Sequence, residues 1–439
     1  RGGRREAPVG KADTPQKLSL DRYNVPQVLG TSATRRFHVM AKPAGSACNL
    51  DCTYCFYLSK RTLPGGPGAG HMSDEVLDRF VKSYIESVTG DEVVFSWQGG
   101  EPTLLGLDFF RKVVAFQQRH AKGGQRIEND LQTNGTMLDE DWARFLKQHR
   151  FLVGLSIDGP REIHDHYRIT KRAEPTFDKV FAAAKMLHKH GVRFNTLTCV
   201  HRYNASKPLD VYRFLRREVG STYIQFIPIV EIKGFENIAP GAWDTANLPI
   251  VGDPRCHPDH PESVVTPWSV AADEYGYFLC KIWDEWQSRD VGKVLINLCE
   301  TLVAQHMGLQ SQVCVHSEIC GKGVALEHSG DAYSCDHYVY PEYKLGNIRG
   351  RSLGDMVFSP RQVKFGYAKS ESLPAYCRQC QFLTDCWGEC PKNRLLRTPD
   401  GEPGLNYLCP GLKRFFAHAV PTADMMAVRL KAGKTHSSG

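Results

Sequence analysis

Between residues 37 and 230, apolar runs alternate with amphipathic segments. Runs rich in Val, Ile, Leu and Phe fall at 37–41, 93–97, 127–133, 152–157, 194–200 and 223–229. Their length and composition predict strands. The segment 73–88 opens on Ser73 followed by two acids, which suits a helix N-terminus. Val76, Leu77, Phe80, Tyr84 and Val88 then fall on one helical face. Segments 139–149 and 176–191 read the same way, the second closing on Gly191, a residue suited to a C-cap. Six β–α repeats predict an α/β fold with a parallel sheet and helices outside it. Six units are too few for a closed eight-stranded barrel, so the expectation is a partial (β/α)6 TIM-like barrel. An open doubly wound sheet is the competing arrangement.

After residue 230 the rhythm breaks. Residues 232–268 are rich in Pro and Gly and predict a long loop, and 270–307 return to a helical pattern. Residues 311–408 are Gly- and Cys-rich with little periodicity. Such segments build no large core and are commonly organised by metal. The expected division is a basic flexible leader at 1–36, the barrel at 37–230, linking loop and helices at 231–310, a Cys-rich domain at 311–420, and a C-terminal helix and tail at 421–439. Within the last, 431–439 read as a frayed end.

Charge and length narrow the function classes. The formal net charge is +7, but residues 1–36 hold eight Lys/Arg against three Asp/Glu, leaving +2 for the rest. A basic leader of that kind is a solvated tail, and no basic face marks the remainder, so nucleic-acid binding is not expected. No apolar run reaches membrane-spanning length, so no membrane association is expected. Residues 1–36 hold no apolar core of the kind a secretory signal needs. A cytoplasmic location is therefore expected, and with it reduced thiols rather than a disulfide framework.

Fifteen cysteines then need another explanation, and eleven fall in three groups. Cys48-Asn-Leu-Asp-Cys52-Thr-Tyr-Cys55 follows the first strand, on the rim where α/β barrels keep their chemistry. Three thiolates can hold three irons of a [4Fe–4S] cube and leave the fourth iron open, whereas structural zinc favours four protein ligands. Further on come Cys314, Cys320 and Cys335, then Cys377, Cys380, Cys386, Cys390 and Cys409. Eight cysteines make two sets of four, which suit two structural zincs or two iron–sulfur clusters equally. Cys199, Cys256, Cys280 and Cys299 lie outside the groups and read as ordinary residues.

The C-x3-C-x2-C triplet, with the aromatic Tyr54 before its last cysteine, resembles the signature of the radical S-adenosylmethionine (SAM) superfamily. That resemblance implies an open iron that chelates S-adenosylmethionine and cleaves it to a 5′-deoxyadenosyl radical. It also implies cofactor contacts from Gly99, Gly100 and Glu101 in the GGEP turn after the second strand. Glu101 is expected as a counter-charge for the cofactor's amino group. Ser156 and Arg168 are implied contacts for the ribose and carboxylate, and the Val230 backbone for adenine.

The C-terminal run resembles a SPASM domain with two auxiliary [4Fe–4S] clusters. The resemblance assigns Cys314, Cys320, Cys335 and Cys390 to the nearer cluster and Cys377, Cys380, Cys386 and Cys409 to the farther one. Three [4Fe–4S] clusters are thus expected in all. Phe56-Tyr57, Gln98 before the GGEP turn, Leu131-Gln132-Thr133-Asn134-Gly135 and Cys335-Asp336 together resemble the anaerobic sulfatase-maturating enzymes. Members of that family convert a Cys or Ser in an unfolded sulfatase segment, Cys/Ser-x-Pro-x-Arg, to Cα-formylglycine. The resemblance further implies an electron donor such as flavodoxin or ferredoxin. Asp336, beside a cluster ligand, is the expected catalytic base, with a pKa raised by the anionic cluster and His337 as the backup. Tyr57, Gln98 and Gln132 are expected to position the peptide. Another SPASM enzyme, forming thioether or carbon–carbon crosslinks in a ribosomal peptide, is the alternative activity.

Overall fold

The structure, a computed structural model, describes residues 36–436. The basic leader therefore lies outside the described residues, Arg36 excepted. Six strands and their helices follow in the expected order. They are β1 (His38–Lys42), α1 (Asp74–Ser87), β2 (Glu92–Trp97), α2 (Gly106–His120), β3 (Arg126–Thr133) and α3 (Glu140–Gln148). Next come β4 (Leu152–Ser156), α4 (Arg161–Tyr167), α5 (Phe177–Lys189), β5 (Phe194–Val200), α6 (Pro208–Arg217) and β6 (Tyr223–Pro228).

Local chemistry starts these helices where the sequence predicts. The Ser73 side chain accepts from the Val76 N–H, and that of Asp139 from the Trp142 N–H, satisfying donors that have no intrahelical partner. Gly191, at φ +63°, takes the left-handed conformation that ends α5. The face of α1 carrying Val76, Leu77, Phe80 and Tyr84 is buried against the sheet. There the Phe80 ring meets Phe95 and Trp97 edge-on at 5.5 and 5.7 Å.

Strands β1 to β6 pair in sequence order, each parallel to the last. A doubly wound sheet reverses its strand order at a switch point. This one does not, so it is the partial barrel. The sheet also continues past both ends. β7 (Leu295–Ile296) pairs parallel with β6 and is followed by α8 (Asn297–His306); α7 (Ala272–Arg289) precedes it. On the other side β8 (Gly323–Glu327) pairs parallel with β1 in the register His38↔Gly323 to Lys42↔Glu327. β9 (Asp331–Tyr333) and β10 (Lys344–Asn347) add antiparallel, giving the order β10-β9-β8-β1-β2-β3-β4-β5-β6-β7. The Cys-rich segment thus extends the barrel's own sheet. The three strands it adds there span three to five residues, too short for a periodic signal.

The last helix, Cys409–His436, lies along α7, where Gly276 and Gly411 bring the two backbones together. It includes residues 431–436, which the sequence reads as frayed. No helix is long and apolar enough to cross a membrane, among the described residues.

Candidate active site on the barrel rim

The cysteine loop leaves β1 at Lys42 and crosses the C-terminal rim of the sheet. The GGEP turn after β2 docks directly on it. The N–H groups of Gln98, Gly100 and Glu101 donate to the carbonyls of Ala41, Gly45 and Ala47 at 2.9, 2.8 and 2.8 Å. A Cβ on Gly100 would stand 1.9 Å from the Ala47 oxygen, so glycine is required for this approach. Gly99 sits at φ +122°, a conformation open to glycine.

Glu101 is fully enclosed, and its carboxylate is directed inward. Oε1 accepts from the Thr103 N–H and from the Thr103 and Thr133 hydroxyls, and Oε2 from the Asn134 N–H at 2.7 Å. Burial pushes its pKa up, against those bonds. It ties the turn to the end of β3, where the Asn134 amide also reaches Asn49 at 2.9 Å and the Cys48 sulfur at 3.8 Å.

Beyond β4 and β5 a second polar cluster forms around Asp158. Arg168 Nε donates to Asp158 Oδ2 at 2.9 Å, the Tyr54 hydroxyl donates to the same oxygen, and the Cys199 N–H donates to Oδ1 at 3.0 Å. Burial opposes the Asp158 charge, but Arg168, His201 and His164 hold its carboxyl below the usual range. The guanidinium lies 5.6 Å from the Tyr54 ring and 3.8 Å from the Cys199 sulfur. Arg168 is therefore anchored beside the cysteine loop, and Cys199, read as ordinary from sequence, belongs to its surroundings. Ser156 closes β4, half-buried on the same rim. Val230 is buried, and its carbonyl accepts from Lys392 Nζ at 2.6 Å; Lys392 also pairs with Glu231 at 2.8 Å.

The third part of the rim is built by the register Lys42↔Glu327. Lys42 Nζ pairs with Asp336 and lies 4.5 Å from the centre of the Tyr57 ring, whose hydroxyl donates to Glu327. The Tyr57 hydroxyl is thus engaged, and the ring is what Tyr57 presents. Burial disfavours the Asp336 charge, yet Lys42 and His337 bring its pKa below the ordinary value. The side chain in contact with Asp336 is thus a cation.

Burial drives the His337 pKa down to about 3, leaving a neutral imidazole 4.9 Å from the Phe56 ring. Gln98 is buried after β2 and Gln132 is half-buried in β3, paired with Gly154. Lys42, Glu327 and Lys392 were missed from sequence. The available signal was Lys42 itself, a charge closing an apolar strand.

Among the described residues no cysteine forms a disulfide, and three neighbourhoods hold the eleven grouped ones. Burial raises the Cys48 thiol to about 12 and those of Cys52 and Cys55 as well, with mutual repulsion contributing between Cys48 and Cys55 and at Cys52. Cys335 feels Cys314 and Cys390, and Cys320 feels Cys314. Cys386 feels Cys409 and Cys377, while Cys377, Cys380, Cys386 and Cys409 line one cavity with Tyr376, Leu412 and Phe416. Cys390 thus sides with Cys314 and Cys335 although its sequence neighbours form the other set. Among the described residues, no three His, Cys, Asp or Glu side chains converge as a single metal ion requires. The thiol sets fit a cationic iron–sulfur core. Buried thiols this weakly acidic ionise where a bound cation compensates the charge.

A model of the radical SAM superfamily matches residues 43–215, and one of an iron–sulfur cluster-binding domain, SPASM, matches 314–381. The chain is 44% identical over 394 residues to a serine-type anaerobic sulfatase-maturating enzyme of Bacteroides thetaiotaomicron, covering 90% of this chain and 92% of that one. It is 33% identical over 399 residues to a cysteine-type enzyme of Clostridium perfringens, covering 90% and 99%. A solved structure of such an enzyme, native anSMEcpe with bound AdoMet and Cp18Cys peptide, superposes with a TM-score of 0.75 at 31% identity, over 90% of this chain and 99% of that one. The two domains imply iron–sulfur clusters and S-adenosylmethionine as cofactors. With that identity across nine-tenths of its length, the chain belongs to the anaerobic sulfatase-maturating enzymes of the radical SAM superfamily.

Proposed function

We infer that this chain oxidises a Cys or Ser residue, presented in an unfolded sulfatase segment, to Cα-formylglycine. The observation that carries the reading is the Lys42–Asp336 pair. It holds a carboxylate from the Cys-rich segment against the strand that feeds the first cysteine loop. The side chains that suit the chemistry therefore meet at one place.

Cys48, Cys52 and Cys55 would hold the cluster that binds S-adenosylmethionine. When bound, these groups supply the radical that takes a hydrogen atom from the target Cβ. The chain's own residues complete the oxidation, which still requires loss of one proton and one electron. Asp336 is the base, ionised beside Lys42 and able to receive the proton. Tyr57, with its hydroxyl held by Glu327, offers a fixed ring to the peptide, and Gln98 and Gln132 offer amides from the ends of β2 and β3. Gly99, Gly100 and Glu101 shape the loop that receives the cofactor. Tyr54, Ser156, Arg168 and Val230 line the side where its ribose, carboxylate and adenine would lie.

The sets Cys314, Cys320, Cys335, Cys390 and Cys377, Cys380, Cys386, Cys409 would hold two further [4Fe–4S] clusters, three in all. The barrel at 37–230 carries the radical chemistry and 311–420 the electron-carrying sets. Residues 231–310 join them, and the terminal helix Cys409–His436 closes the described chain. A flavodoxin or ferredoxin in the cytoplasm would supply the reducing electron.

Anaerobic turnover with a reductant, S-adenosylmethionine and Cys- or Ser-x-Pro-x-Arg peptides tests the reading by mass spectrometry. A Ser peptide lighter by two hydrogens, or the same aldehyde from a Cys peptide, together with 5′-deoxyadenosine, is the expected result. Deoxyadenosine with both peptides unchanged would refute sulfatase maturation and leave peptide crosslinking as the reading to pursue.

A further inference from the structure

Two buried cations, Lys369 and Arg394, stand among the second and third cysteine sets. Lys369, on the helix Pro360–Glu371, is 1% exposed. Its Nζ donates to the carbonyls of Cys314 at 2.6 Å, Val315 at 2.9 Å and Ser317. Arg394 is 6% exposed. Its Nη1 donates to Ser372 Oγ at 2.8 Å, and its Nη2 to the Lys369 carbonyl at 2.7 Å and the Trp387 carbonyl at 3.5 Å. Trp387 follows Cys386, so the two side chains form one chain of hydrogen bonds from the Cys314 loop to the Cys386 loop. A Cβ on Gly388 would lie 3.0 Å from Nη2, which wedges the guanidinium against that loop. The Arg394 Nε has no hydrogen-bond partner among the described residues.

Among the described residues, neither cation forms an ion pair with a carboxylate. Glu389, whose charge reaches Lys369, accepts instead from the amides of Asn393 and Asn406 at 2.9 and 2.7 Å. A charge removed from water needs a counter-ion, and an enclosed one without it is costly. Besides Glu389 at Lys369 and Tyr338 at Arg394, the groups that face these two are sulfur. Lys369 is flanked by Cys320, Cys314 and Cys390, and Arg394 by Cys377, Cys390 and Cys320. Burial lowers the pKa of both cations, and those thiols oppose the shift.

We propose that Lys369 and Arg394 are the counter-cations of the two auxiliary iron–sulfur sites, Lys369 serving the Cys314 set and Arg394 both sets. They offset thiolate charge and hold the reduction potentials up. Reduction adds a negative charge to a site that is already anionic, so a nearby fixed cation favours the reduced form. An acceptor poised this way takes the substrate's electron more readily. Both are positioning residues, and the inference rests on the three-cluster reading.

The test uses the full chain carrying Cys48→Ala, Cys52→Ala and Cys55→Ala, so that only the two auxiliary sites load. Iron content and a potentiometric titration followed by electron paramagnetic resonance are measured in this background. They are repeated with Arg394→Gln, Arg394→Lys, Lys369→Gln and Lys369→Arg added. Arg394→Gln should lower both potentials by about 59 mV or more, a tenfold loss of reduced fraction at fixed potential. Lys369→Gln should lower mainly one, and the charge-keeping variants should restore the parental values. Neutral variants that load iron fully and keep the parental potentials would overturn the proposal. If the neutral variants load no iron, loading by Arg394→Lys and Lys369→Arg supports the charge requirement. Failure of those variants as well overturns it in favour of shape. A background chain with no iron at either set would overturn the three-cluster reading itself.

Discussion

Gly100→Ala probes the contact on which the first cysteine loop rests. The added carbon would stand 1.9 Å from the Ala47 oxygen, 2.5 Å from its carbonyl carbon and 2.9 Å from its nitrogen. All three are backbone atoms, so no side-chain rotation relieves the overlap. One backbone must retreat by about 1 Å to reach the 3.0 Å below which such contacts essentially never fall. The displaced residue precedes Cys48. The retreat strains the 2.8 Å bonds from Gly100 to Gly45 and from Glu101 to Ala47. Overpacking of this kind costs about 1–3 kcal/mol, and each weakened bond roughly 0.5–1.5. Those terms come to roughly 2–6 kcal/mol, below the middle of a typical total stability of about 5–15 kcal/mol, so the chain should still fold. Metal ligation, however, tolerates only about 0.2 Å. The variant should therefore keep its far-ultraviolet circular dichroism and the iron of the two C-terminal sets. It should lose the iron of the first set and at least tenfold in 5′-deoxyadenosine formation. Gly123→Ala, where an added carbon meets nothing within 4 Å, is the matched control and should change neither. Full iron content with parental deoxyadenosine formation in Gly100→Ala would refute the close-approach argument.

Two further substitutions separate chemistry from scaffold. Asp336→Asn should load iron and form deoxyadenosine normally yet lose about 10²- to 10⁴-fold in aldehyde, the usual worth of a positioned base. Undiminished aldehyde in the mass spectrum would remove Asp336 from that role. Lys60→Met concerns a lysine whose Nζ has no hydrogen-bond partner and lies 3.3 Å from the Tyr340 ring centre. Burial lowers its pKa from 10.5 to about 7, so between those values the unfolded chain binds the extra proton. Its contribution to stability therefore rises as pH rises through that window. Lys60→Met should flatten the dependence of the unfolding midpoint on pH and stabilise the chain most at the acid end. Parallel midpoint curves for parent and variant would contradict the burial argument.

The parts of this molecule that the sequence shows are those determined by neighbours along the chain. Ser73 and Asp139 cap helices three residues ahead of the N–H groups they satisfy, and the Cys48–Cys55 spacing already describes one loop. The three strands that the Cys-rich segment adds to the barrel's sheet escape such reading, because each is too short for alternation to register and gains its partners from β1 or from one another. That pairing determines the rest. By setting Lys42 opposite Glu327 it brings a lysine from the first strand to Asp336, a partner that sequence proximity to Cys335 does not suggest. Lys369 and Arg394 escape for the same reason. Each is an unremarkable basic residue in its own segment, and acquires a role because two loops far apart in sequence enclose it with sulfur. Three of these residues share a trait that local reading can use: Lys42, Lys60 and Lys369 are cations among positions that fold inward. A basic residue whose neighbours along the chain are apolar or cluster-ligating has its counter-ion elsewhere. In this family the place to look for that counter-ion is the sheet seam between β1 and β8 and the boundary between the two C-terminal cysteine sets.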